Sequence, residues 1–99
     1  MNAKHELINL INSSEMKCAT ITIHNKLYDL KLGYTDQELL VFIDNLNFDY
    51  DSGFGLQELF GTIWMQDGSW YTRAEYNGSE WWKHNKLPDI PNNLFKQPI

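Results

Sequence analysis

Ninety-nine residues, 42% of them hydrophobic and 14% aromatic, are enough for one folded domain spanning 1–99 and exclude a disordered chain. One cysteine, Cys18, excludes an internal disulfide, and no apolar run approaches the roughly 18 residues that a membrane-crossing helix needs, so a reducing, cytoplasmic setting is expected. The net charge of −5 disfavours direct nucleic-acid binding, the more so because residues 34–58 hold Asp36, Glu38, Asp44, Asp49, Asp51 and Glu58 with no Lys or Arg.

In chain order, "AKHELINLINS" (3–13) places Leu7, Leu10 and Ile11 at helical spacing, with Ile8 beside them, and predicts a short amphipathic helix. "KCATITIHNKLYDLKLG" alternates like a β-hairpin. A turn at Asn25-Lys26 pairs Ile23 with Tyr28, Ile21 with Leu30 and Ala19 with Leu32, apolar against apolar. Thr35 and Glu38 form a capping box for a helix of about ten residues whose stripe is Leu39, Phe42, Ile43 and Leu46.

"NFDYDSGFG" (47–55) alternates Phe48 and Tyr50 with Asp49 and Asp51. Its Asn47, Asp49, Asp51 and Glu58 imitate a calcium loop, but Ser52 stands where such a loop needs glycine. From Gln57 the chain reads as a three-strand meander turning at Asp67-Gly68 and Asn77-Gly78. Residues 86–99 carry Pro88, Pro91 and Pro98 and are expected to run extended over the surface. The whole predicts an α+β fold, a mainly antiparallel sheet of five or six strands with two helices packed on one face.

Two-residue loops at both meander turns give the sheet two faces. Leu59, Gly61, Ile63, Met65, Trp70, Thr72, Ala74, Tyr76 and Trp81 form the expected core side. Phe60, Thr62, Trp64, Tyr71, Arg73, Glu75, Glu80, Trp82 and His84 form the outer side, where Arg73 meets Trp82 as a cation–π pair with Glu75 and Glu80 as ionic partners. Aromatics around an arginine are the composition of interfaces and clefts, so Trp64, Tyr71, Arg73, Glu75, Glu80, Trp82 and His84 are candidate binding residues. Asp44, Asp49 and Asp51 join them as the acidic contact for a basic partner.

Catalysis and cofactors find little support. Cys18, His5, His24 and His84 are scattered rather than paired as zinc ligands, no glycine loop suits phosphate, and Cys18 and His24, six residues apart on one strand face, lie beyond hydrogen-bond reach of each other. A non-enzymatic protein without metal or cofactor is expected.

The stretch "YDSGFGLQELFGTIWMQDGSWYTRAEYNGSEWWKHNKLPDIP" (50–91) resembles a series found in short proteins encoded by phages and related mobile elements. The resemblance implies an anti-defence inhibitor, of the anti-CRISPR kind, acting in the host cytoplasm on a host or defence protein with a basic surface. The competing expectation is a small-ligand or nucleotide-binding domain whose cleft is Trp64, Tyr71, Arg73 and Trp82. A homodimer is compatible with either.

Overall fold

A computed structural model describes residues 1–12, 15–51 and 56–96. Helix α1 covers Ala3–Leu10, opened by Asn2, whose side chain accepts from the His5 amide. It buries Ala3 and Leu7, and Ile11 follows them one turn on, while Ile8 and Leu10 face outward. The inward row is therefore 3, 7, 11, and the expected place of Leu10 in it is corrected.

Strands β1 (Met16–Ile23) and β2 (Lys26–Leu30) form the hairpin. His24 and Asn25 both have positive φ, 49° and 65°, which makes His24-Asn25 the two-residue type I′ turn in place of Asn25-Lys26. Moving the turn by one residue moves the partners by two, so Ile21 pairs with Tyr28 and Ala19 with Leu30. Because side chains alternate with a period of two, the apolar face survives the correction, although Leu32 falls beyond the strand and lies exposed.

Helix α2 (Asp36–Asn45) carries both hydrogen bonds of the expected capping box: Thr35 Oγ1 accepts from the Glu38 amide and Glu38 Oε1 from the Thr35 amide. Phe42, Ile43 and Leu46 are buried and Leu39 half-buried. After α2, Asp49 makes an isolated bridge with Asn2, the nearest approach to a sixth strand. Phe48 and Tyr50 point inward there, and Asp49 and Asp51 outward.

Strands β3 (Leu59–Met65), β4 (Trp70–Tyr76) and β5 (Ser79–Asn85) complete one antiparallel sheet of order β2-β1-β3-β4-β5. β1 and β3 approach closely at Gly61, where a Cβ would lie 2.5 Å from the Thr20 carbonyl oxygen. Both helices cover one side of the sheet, and Ala3, Leu7, Phe42 and Leu46 share a core with Ile21, Leu30, Leu59, Ile63 and Trp82.

The two meander turns differ in kind. Asn77 and Gly78 both have positive φ, 52° and 86°, giving the expected type I′ turn and pairing Glu75 with Glu80, Ala74 with Trp81 and Arg73 with Trp82. In the first turn Gly68 has φ 88° and Asp67 does not share that sign. The Gly68 amide donates to the Met65 carbonyl and the Met65 amide to the Ser69 carbonyl, so the loop holds three residues, Gln66-Asp67-Gly68, with the glycine as a bulge.

One extra loop residue sets Ile63 opposite Tyr71 instead of Thr72. Every β4 and β5 side chain thereby changes side relative to β3, reversing the expected faces for two of three meander strands. Residues 86–91 have no regular structure, a 3-10 turn spans Asn92–Leu94, and residues 97–99 of the expected tail lie outside the described residues.

Candidate functional site

The reversed register carries Arg73, Glu80 and Trp82 beneath α1. The Arg73 side chain is 1% exposed and that of Glu80 0%, and Trp82 as a residue is 5% exposed. The expected contacts exist, but inside the protein: the Arg73 guanidinium carbon lies 4.9 Å from the Trp82 ring centre and 5.6 Å from that of Tyr50. Arg73 Nη2 donates to Glu80 Oε1 at 2.7 Å and to the Tyr50 hydroxyl at 2.9 Å, and Nη1 donates to Glu6 Oε2 at 3.0 Å.

Glu80 also accepts from the Glu58 and Leu59 amides at 2.8 and 3.1 Å, and the Tyr50 hydroxyl donates to Glu6. Only Nε of the guanidinium is buried without a partner. Burial alone would lower the Arg73 pKa, but the hydrogen bond it donates to Glu80 and the charge of Glu6 outweigh it and keep the group charged. Burial, then the hydrogen bond to Glu6, pushes the Tyr50 phenol well above its ordinary value. The cluster joins α1, the segment after α2, β4 and β5. It is an ionic cluster closed to solvent, with every guanidinium nitrogen but Nε partnered.

The remaining expected site residues scatter. Glu75 does not reach Arg73; its Oε1 accepts from the Gly78 amide at 2.8 Å and closes the turn. Tyr71 and His84 lie on the helix side, their rings stacked with centres 4.4 Å apart. Asp44 is exposed and pairs with Lys4 at 2.9 Å, Asp49 lies near Asn2, and the Asp51 amide donates to Glu58. These acids flank α1 and α2. The calcium-like loop falls partly on residues 52–55, outside the described residues. Among the described residues no three His, Cys, Asp or Glu side chains are grouped to hold a metal.

Of the expected cleft, Trp64 alone lies on the other side of the sheet. Among the described residues neither α1 nor α2 covers that side, and here exposed aromatics gather: Phe60 is 50% exposed, Trp64 42%, Tyr76 70% and Trp81 43%. Trp70, half-buried, sits opposite Trp64. Small and polar residues separate them, including Thr20, Thr62, Thr72 and Ala74. The strands contribute to this face one acid, Asp29, which accepts from Thr20 Oγ1 at 2.7 Å, and two bases, Lys83 and, at the β1 bulge, Lys17. Half-buried Cys18 lines a shallow depression there with Lys17, Leu32 and Trp64.

This open face is the candidate site, and sequence reasoning placed Trp70, Tyr76 and Trp81 in the core instead. The strand alternation of Phe60, Thr62 and Trp64 is the available signal, since in β3 it puts these three on the open side, where the structure has them. No family model, curated protein or solved structure matches this chain.

Proposed function

We propose that this is a small, non-enzymatic binding protein that docks a partner protein on the open face of its sheet. The observation that carries the proposal is the coincidence of Phe60, Trp64, Tyr76 and Trp81, all exposed, on a face whose strands supply three charges, Asp29, Lys83 and Lys17. The chain carries 13 acidic and 8 basic residues, yet its largest exposed rings occupy its least charged side. Charge depletion with aromatic enrichment distinguishes the centre of a protein interface from ordinary surface. A neutral, aromatic docking face suits a partner surface that is apolar at its centre and polar at its rim.

The resemblance of residues 50–91 to phage and mobile-element proteins supports a host or defence protein as that partner, with inhibition by occupancy as the mechanism. The ligand cleft around Arg73 and Trp82 is disfavoured because both side chains are buried. Affinity capture from a host lysate with the wild-type protein and with Phe60→Ser and Trp64→Ser tests the reading. Either substitution should weaken capture of the specific partner by at least about thirtyfold, as truncating a central aromatic does, with the fold intact by circular dichroism. Capture that survives both substitutions and fails in variants of the helix side would overturn it.

A further inference from the structure

We infer that two copies of this chain join edge to edge through β5, forming a continuous ten-stranded sheet about a two-fold axis. The inference is independent of what docks on the open face. β5 is an edge strand seven residues long, from Ser79 to Asn85, and among the described residues it pairs only with β4. The type I′ turn makes Tyr76 and Ser79 a hydrogen-bonded pair, so alternation turns the Trp81, Lys83 and Asn85 backbones toward β4. The backbones of Glu80, Trp82 and His84 then face outward, and among the described residues no backbone group pairs with them.

Edge strands of this length are ordinarily blunted by proline, a bulge, a covering segment or charged side chains, and of these devices β5 carries the charges of Lys83 and the inward-pointing Glu80. β5 contains no proline, its pairing with β4 runs without a register shift, and residues 86–96 after it are exposed. The other edge, β2, is five residues long and has α2 packed beside it.

The sequence of β5 complements itself when reversed. An antiparallel pair centred on Trp82 aligns all seven residues and sets Ser79 against Asn85, Glu80 against His84, and Trp81 against Lys83. Trp81 and Lys83 both point to the open face, so each strand offers an ammonium to the other's indole, twice by symmetry. Sliding the pair two residues either way leaves five of the seven residues aligned, and one of the two slides puts Lys83 opposite Lys83. The axis stands perpendicular to the sheet, which keeps all four helices on one side and both aromatic faces on the other.

Sedimentation velocity over a range of concentrations tests this. Wild type should run at twice the 11.7 kDa chain mass. His84→Pro removes an outward N–H and leaves the β4 ladder alone, so it should give a folded monomer, whereas His84→Ala, which keeps the N–H, should remain a dimer. Lys83→Glu, which needs no backbone change, should raise the dissociation constant by at least about fivefold through loss of both cation–π contacts. A wild-type monomer throughout overturns the inference. So does a dimer that persists in both His84→Pro and Lys83→Glu but dissolves in Trp64→Ser, which would mean the open faces associate instead, and so does a monomer that takes up an unrelated strand peptide along β5.

Discussion

The Tyr50 hydroxyl stands between a carboxylate and a guanidinium, donating to Glu6 and accepting from Arg73 Nη2. A phenolate there would face Glu6 in a buried site, so folding favours the protonated form and raises its pKa. Stability owed to that form is complete below the unfolded value of about 10 and is lost as pH climbs toward the folded one. Urea unfolding at a series of pH values should therefore show wild type losing stability from about pH 10 upward, with a clearly flatter profile for Tyr50→Phe. Equal slopes would mean that the phenol does not carry the effect. At this scale the sequence is partly legible. Arg73, Glu80 and Trp82 share one hairpin whose turn is unambiguous, so their contacts follow from pairing. Nothing in the pattern brings Glu6 or Tyr50 to them, because those contacts depend on where α1 settles.

Strand β4 shows how one loop residue decides what a strand is for. Asp-Gly is compatible with a two-residue type I′ turn and with the bulged three-residue loop, and here Asp67 Oδ1 accepts from both the amide and Oγ of Ser69, holding the longer form. The Ser69 contacts also hold the Asp67 carboxyl below its ordinary pKa. Hydrophobic patterning favours the shorter loop, since the longer one puts an arginine and a glutamate in the core and leaves Trp81 in water. The fold accepts that arrangement because α1 brings Glu6 and the chain after α2 brings Tyr50 to complete the buried set. The helices, which lack this ambiguity, follow from caps and periodicity. The register has a direct consequence: Trp82→Ala should cost roughly 3–5 kcal/mol of unfolding free energy and Trp81→Ala within about 1 kcal/mol. Denaturant unfolding of the pair checks it, and the opposite ranking would restore the shorter loop.

The molecule as a whole is two-sided. Asp36, Glu38, Asp44, Asp49 and Asp51 belong to the helix layer, and the exposed aromatics belong to the bare sheet. Charge asymmetry was legible from counting residues; the position of the aromatics was not, since it hangs on the first meander turn. Separation of the two sets predicts separable kinetics. With a basic partner, Asp44, Asp49 and Asp51 changed together to Asn should slow association on the order of threefold to tenfold at low salt and leave dissociation unchanged. Surface-plasmon measurements at several salt concentrations read this, and an association rate indifferent to both salt and substitution would remove the acids from the encounter.

The Arg73 cluster also sets an order of assembly. Arg73 reaches Glu80 across seven residues, Tyr50 across 23 and Glu6 across 67. Closing a long loop costs entropy before the contact at its end repays it, so the hairpin pair forms early and the Glu6 arm arrives last. Helix α1 is then the final piece to dock and the first to lift away, and its departure uncovers a guanidinium still paired with Glu80 without breaking the sheet. Amide exchange in α1 should accordingly outpace exchange in β1 and β3, which makes the opening of this helix a sub-global event beneath complete unfolding.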